Sequence, residues 1–169
     1  HAREAAGSIG HSGCRVVFCE AEREAELAQV MAETGVTARA CSDTRFMTAG
    51  LPLAPLCPRG DDDPAWLVYT SGTTGRPKGV VLCPRQLRWS SLAYLASVQP
   101  VRQGDTLLHP APLSHGGGMY HLPYVLQAGL NVVPASGGFD AGECLDLAAH
   151  WRKASFFAAP TMVRRLVDE

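Results

Sequence analysis

The chain predicts a layered α/β fold with a mostly parallel sheet and flanking helices. Two observations carry this expectation. Short apolar runs alternate with segments of helical periodicity along the sequence. In addition, 169 residues with 46% hydrophobic but only 18% charged positions can bury a sizeable core. Residues 15–19 (Arg-Val-Val-Phe-Cys) read as a first strand, and residues 21–32 as a helix with Leu27, Ala28 and Met31 on one face. Residues 36–41 read as a second strand. Periodicity is lost over residues 42–64, which carry Pro52, Pro55, Pro58 and the Asp61-Asp62-Asp63 run, so this stretch reads as a surface connector with a solvated acidic turn. A strand over residues 65–69 leads into a turn rich in glycine and hydroxyls, then the apolar Val80-Val81-Leu82.

Pro84, in a first-turn position, opens a helix to about residue 97. Residues 105–109 give a short strand, residues 117–127 a helix despite their glycines, and residues 130–134 another strand followed by the loop 135–138. Asp140 with Glu143 three residues later resembles a capping box for a helix ending near Lys153, with Leu145, Ala148 and Trp151 as its apolar face. Residues 156–159 read as a buried strand, and Pro160-Thr161 opens a last helix with Met162, Val163 and Leu166 inward.

Charge and composition exclude several function classes. A net charge of −1 and a pI near 6.6 create no field for nucleic acid or an anionic membrane. No apolar run reaches the length of a membrane span, and His1-Ala2-Arg3-Glu4 lacks the layout of a signal peptide, so a cytoplasmic protein without an integral membrane segment is expected. Cys14, Cys19, Cys41, Cys57, Cys83 and Cys144 are too irregularly spaced for a zinc site and are expected to be reduced and mostly buried. His109, His115 and His121 recur every six residues, a spacing that scatters them around a helix rather than joining them at a metal. Trp66, Trp89 and Trp151 are read as packing residues, and Met119, Tyr120 and Leu122 as core rather than pocket lining.

The most informative stretch is Tyr69-Thr70-Ser71-Gly72-Thr73-Thr74-Gly75-Arg76-Pro77-Lys78-Gly79-Val80. Its glycines let the backbone approach an anion, its hydroxyls donate hydrogen bonds, and Lys78 adds a flexible point charge, so the turn can hold a polyphosphate. It is not the common P-loop. Five residues beyond Gly72 stands Pro77, and Lys78 is followed by Gly79 rather than Ser or Thr. A dinucleotide Gly-x-Gly-x-x-Gly is also absent.

The unbroken Thr-Ser-Gly-Thr-Thr-Gly-x-Pro-Lys-Gly resembles the signature of the adenylate-forming (AMP-binding) superfamily: acyl-CoA synthetases, luciferase-like ligases and the adenylation domains of peptide synthetases. Further matches are Pro110-Ala111-Pro112-Leu113-Ser114-His115-Gly116-Gly117-Gly118, then Phe139-Asp140 through Leu145 to Ala159-Pro160-Thr161-Met162, and Ser12 to Phe18. The chain is most similar to acyl-CoA synthetases such as long-chain fatty-acid–CoA ligases. The resemblance implies part of the large N-terminal domain over residues 1–169, without the C-terminal domain.

It also implies ATP, Mg²⁺ and coenzyme A as reactants, a carboxylic acid as substrate, and formation of an acyl-adenylate that is passed to a thiol. By the same resemblance Thr70, Ser71, Gly72, Thr73, Thr74, Gly75 and Lys78 bind the nucleotide, Thr74 bears on the metal, and Lys78 and His115 are catalytic, His115 lying beside the acyl site. A piece without its later sequence is expected to be inactive alone and to self-associate through exposed apolar strands. The open alternatives are an amino-acid adenylation domain of a peptide synthetase and a non-catalytic remnant. One departure is visible: Cys83-Pro84 stands where many members carry Thr-His or Ser-His, which alters how the next helix begins.

Overall fold

A computed structural model describes residues 2–32, 35–40, 55–70 and 78–169. The chain divides into two compact units, His1–Leu82 and Cys83–Glu169.

In the first unit, helix α1 (Ala2–Ser12) precedes strand β1 (Val16–Cys19), helix α2 (Ala21–Val30) and strand β2 (Thr37–Ala40). β1 and β2 are parallel, with Val16 opposite Thr37 and Cys19 opposite Ala40. A parallel pair needs a crossover, and α2 supplies it. Leu27 of α2 and Ala38 of β2 form the core, with Ala5 and Ile9 of α1 and Val17 and Cys19 of β1 packed on it. Helix α1 is absent from the sequence reading: Ala2, Ala5, Ala6 and Ile9 do recur at helical spacing, but three of the four are alanine and Gly7 and Gly10 interrupt the run, so its apolar face is slight until Ala5 and Ile9 land on the βαβ core. Ala28 is exposed while Leu27 and Met31 are buried, so the inward face of α2 is narrower than expected. Along β1 burial alternates, which leaves Phe18 59% exposed on the open face.

Strands β3 (Trp66–Thr70) and β4 (Lys78–Leu82) form an antiparallel hairpin, with Trp66 opposite Leu82 and Thr70 opposite Lys78. Only residues 71–77 separate them, too few for the crossover a parallel pair demands. Upstream, the Asp63 carboxylate accepts the Gly60 N–H at 2.8 Å and closes the acidic turn.

The second unit runs through helix α3 (Pro84–Ser97), β5 (Thr106–Leu108), a 3-10 helix (Gly116–Tyr120), α4 (His121–Leu126), β6 (Leu130–Val132), α5 (Ala141–His150), β7 (Ser155–Phe156) and α6 (Pro160–Asp168). Its sheet has the order β6-β5-β7, all parallel. The central strand is buried along its whole length, as a strand covered on both faces should be. Val101, Leu107 and Tyr124 form the core, flanked by Tyr94, Leu95 and Tyr120. The unusual start of α3 is structurally sound: Pro84 occupies the first turn, and the Gln86 side chain accepts the Cys83 N–H at 2.9 Å.

Several sequence expectations are corrected here. The buried residues of α5 are Ala141 and Cys144, one turn apart, whereas Leu145 is exposed because it sits a quarter-turn off that stripe. In α6, Met162 and Leu166 are half-buried but Val163 is exposed. β7 holds only Ser155 and Phe156, is half-buried, and leaves Phe157 exposed. Trp89 is 65% exposed rather than packed. Of the described cysteines only Cys144 is fully buried, and none forms a disulfide. Among the described residues no helix is long and apolar enough to cross a membrane.

Candidate functional site

The hairpin places both ends of the Gly- and hydroxyl-rich turn at one point. Thr70 ends β3 and Lys78 begins β4, their Cα atoms are register partners, and both side chains are exposed. Ser71, Gly72, Thr73, Thr74 and Gly75 lie outside the described residues. Directly below the mouth, Tyr69 pairs with Gly79. A side-chain carbon added at Gly79 would stand 3.0 Å from Leu67 Cδ1 and 3.5 Å from Tyr69 Cε1, so glycine there lets both side chains lie against the opposite strand. The Tyr69 hydroxyl reaches Nδ1 of His11 on α1 at 2.8 Å, with the two rings edge to face at 5.8 Å.

The second candidate region follows β5 in the other unit. His109 is buried and its Nε2 meets Asn131 Oδ1 at 2.8 Å, while its backbone N–H extends the ladder to Val132. This histidine is a sheet residue. His115 sits at the start of the 3-10 helix with an exposed side chain that makes no cap bond, its carbonyl accepting the Gly118 N–H at 2.9 Å. The three glycines after it do different things. A Cβ on Gly118 would stand 1.9 Å from the Leu113 carbonyl oxygen, so only glycine allows this turn to close. Gly117 is buried against Phe157, and Gly116 faces open space.

That space is a cavity of about 220 Å³ bordered by Ser90, Ser91 and Tyr94 of α3 and by Gly116, Met119, Tyr120 and Pro123. Met119 and Tyr120 therefore line a pocket, against the expectation that they belong to the core alone. The Ser90 and Ser91 hydroxyls both donate to the Leu87 carbonyl, at 3.0 and 2.8 Å, which leaves their lone pairs as acceptors. Tyr94 packs against the rings of Tyr120 at 5.3 Å and Tyr124 at 6.4 Å. Burial foremost, then the neighbouring Tyr124, pushes the Tyr94 phenol up to about 12, so it remains a protonated hydroxyl. Beneath it the Gln99 amide donates to Ser155 Oγ at 2.8 Å and to the Tyr124 hydroxyl at 3.2 Å, fixing the wall from behind. No linear signal marks Ser90, Ser91 and Tyr94. Their spacing places them on one helical face, but two adjacent serines give no apolar stripe that would mark a pocket wall.

A third set of groups orders a nearby loop. Asp140 caps α5 by accepting the Glu143 N–H at 2.8 Å. The Glu143 carboxylate does not close the box back onto Asp140; it accepts the N–H groups of Ala135 at 2.7 Å and Ser136 at 3.3 Å. The Ser136 hydroxyl, shared between this carboxylate and the Gly138 carbonyl, and those two N–H groups hold the Glu143 carboxyl below its usual value. Cys144 is fully buried, and that burial pushes its thiol up. Among the described residues no group of three or more His, Cys, Asp or Glu side chains converges as a metal site.

The family model described as AMP-binding enzyme matches residues 1–169. A feruloyl-CoA synthase of Amycolatopsis is 35% identical over 114 residues, which is 66% of this chain and 23% of that protein. A medium/long-chain-fatty-acid–[acyl-carrier-protein] ligase of Mycobacterium tuberculosis is 31% identical over 69% of the chain and 22% of its own length. ATP-bound MatB from Rhodopseudomonas palustris superposes with a TM-score of 0.84 at 26% identity, covering all of this chain and 34% of that one. The chain thus spans about a quarter to a third of the proteins it matches. Because the family model spans residues 1–169, the chain belongs to the family of AMP-binding, adenylate-forming enzymes.

Proposed function

We propose that the chain forms the phosphate-gripping and acid-side portion of an ATP-dependent acid–thiol ligase. The observation that carries this reading is the Thr70–Lys78 pairing, which brings a hydroxyl and an ammonium together at the mouth of a hairpin whose connection reads Ser-Gly-Thr-Thr-Gly. Such a donor set suits the β- and γ-phosphates of ATP. In the reaction a carboxylate oxygen bonds to the α-phosphorus as the bond to the departing pyrophosphate breaks. A thiol sulfur then bonds to the acyl carbon as AMP leaves. Charge develops on pyrophosphate in the first step, so donors fixed before the reaction are the physical requirement. Thr70, Ser71, Gly72, Thr73, Thr74, Gly75 and Lys78 are assigned to that task. Thr74 would help hold Mg²⁺, which would neutralise phosphate charge when bound. His115 and the cavity beside Gly116 are assigned to the acid, with coenzyme A as the thiol acceptor. The open apolar faces around Phe18, Val80 and Val81 accompany self-association of the isolated chain, which light scattering would register as a dimer or larger species.

ATP–pyrophosphate exchange tests the reading directly. Exchange that requires an aryl, short-chain or long-chain acid identifies the adenylation step and its substrate, and a following assay with coenzyme A and a phosphopantetheinyl carrier protein identifies the acceptor. The natural protein carrying this chain, folded yet silent with every acid, would overturn the proposal.

A further inference from the structure

We propose that His11 is a positioning residue for the paired ends of the hairpin, Thr70 and Lys78, and acts through Tyr69. The inference rests on the reading of the hairpin given above. Tyr69 immediately precedes Thr70, the first loop donor, and is restrained from two sides. It is laddered to Gly79 on the opposite strand, where the missing side chain lets the tyrosine ring lie close. Its hydroxyl joins His11 Nδ1 at 2.8 Å, and the two rings stand 76° apart. His11 lies in the last turn of α1, and α1 is seated by Ala5 and Ile9 on the βαβ core. The contact therefore ties the hairpin stem to the packed body of its unit.

A two-stranded hairpin is marginal by itself, and this one leaves Val80 and Val81 of its second strand about half exposed. Little apolar burial holds its register, so a polar tether next to the mouth carries weight out of proportion to its strength. With the Nε2–H tautomer, His11 Nδ1 accepts a hydrogen bond from the Tyr69 hydroxyl. Removing the imidazole frees Tyr69 to shift and widens the range of positions of Thr70 and Lys78 relative to each other. A misplaced donor pair weakens the grip on polyphosphate while leaving the acid side untouched.

The test compares wild type with His11→Ala, His11→Asn, Tyr69→Phe and the His11→Ala/Tyr69→Phe double variant in the natural protein carrying this chain. Asparagine places an amide atom where Nδ1 stands. Loss of one such hydrogen bond predicts a two- to tenfold rise in the KM for ATP in His11→Ala, with the KM for the acid unchanged. His11→Asn restores most of the loss, Tyr69→Phe reproduces it, and the double variant is no worse than either single one. Independently of activity, amide hydrogen exchange in residues 66–70 and 78–82 is faster in His11→Ala while β1 and β2 stay protected. An unchanged KM for ATP together with unchanged hairpin exchange overturns the inference, as does an equal rise in both KM values with faster exchange throughout the unit. Should wild type show no pyrophosphate exchange at all, the proposed function fails, and hairpin exchange alone decides the inference.

Discussion

The hairpin of the first unit and the glycine-rich turn of the second distribute their information in opposite ways. Around residues 69–80 almost every functional group is written in consecutive sequence, and the fold contributes a register that pairs Thr70 with Lys78. Around residues 110–124 the sequence supplies a histidine and glycines whose chemistry is ambiguous, and packing decides what each does. There Gly118 closes a turn, Gly116 opens a cavity, and His115 stays exposed. Phosphate recognition can be local because backbone N–H groups and short hydroxyls of adjacent residues suffice. Recognition of an organic acid needs concavity, which only distant segments can build.

The strongest way to break this comparison is at Lys78. If the hairpin grips polyphosphate, Lys78→Ala should slow adenylation by about 10²- to 10³-fold, the scale of losing one fixed donor to a developing charge, with a much smaller effect on thioester formation. Rapid-quench measurement of the two half-reactions checks this, and equal losses in both would sink the assignment. At the second region the largest expected effect is on stability. Gly118→Ala drives a methyl into the Leu113 carbonyl and should cost about 3 kcal/mol, read as a lower urea midpoint with unchanged slope. A wild-type midpoint would mean that the turn can open without cost.

Gly116→Leu sharpens the division between the regions. Filling the 220 Å³ space should raise the KM for bulky acids by about tenfold, roughly one to two methylenes' worth of lost pocket, and leave the KM for ATP alone. A parallel rise in both constants would show that the two regions do not work separately. The smallest effect concerns the Glu143 clamp on Ala135 and Ser136. The folded-state carboxyl is held below its ordinary value, so its contribution is complete above the unfolded value and is lost as pH falls through the folded one. Hydrogen exchange of the Ala135 and Ser136 amides should therefore be faster in Glu143→Gln than in wild type at neutral pH, and the two should converge well below about pH 4. A gap that persists in acid would place the effect elsewhere.

Legibility in the sequence followed the range of the interactions involved. The α/β class, the strands β1, β3, β5 and β6 and the start of α3 were readable, because period, Pro84 and the length of apolar runs are local signals. Helix α1 was not, since its apolar stripe is mostly alanine and is interrupted by glycines, and it is held where Ala5 and Ile9 meet Leu27 and Ala38. The inward face of α5 was misjudged for a related reason: Leu145 is the more hydrophobic residue, yet Cys144 points at the sheet because rotation of the helix is set by Ala141 one turn earlier.

By itself the sequence determined the layered α/β class, the glycine- and hydroxyl-rich turn with its lysine, and membership of the adenylate-forming family, all carried by adjacent residues or by their period. The tertiary structure alone decided that Thr70 meets Lys78, that His11 of α1 reaches Tyr69, and that Ser90, Tyr94, Gly116 and Met119 surround one cavity. Apart from the hairpin pair Thr70–Lys78, those contacts join segments far apart in the chain, and their geometry follows from packing, which no local pattern encodes.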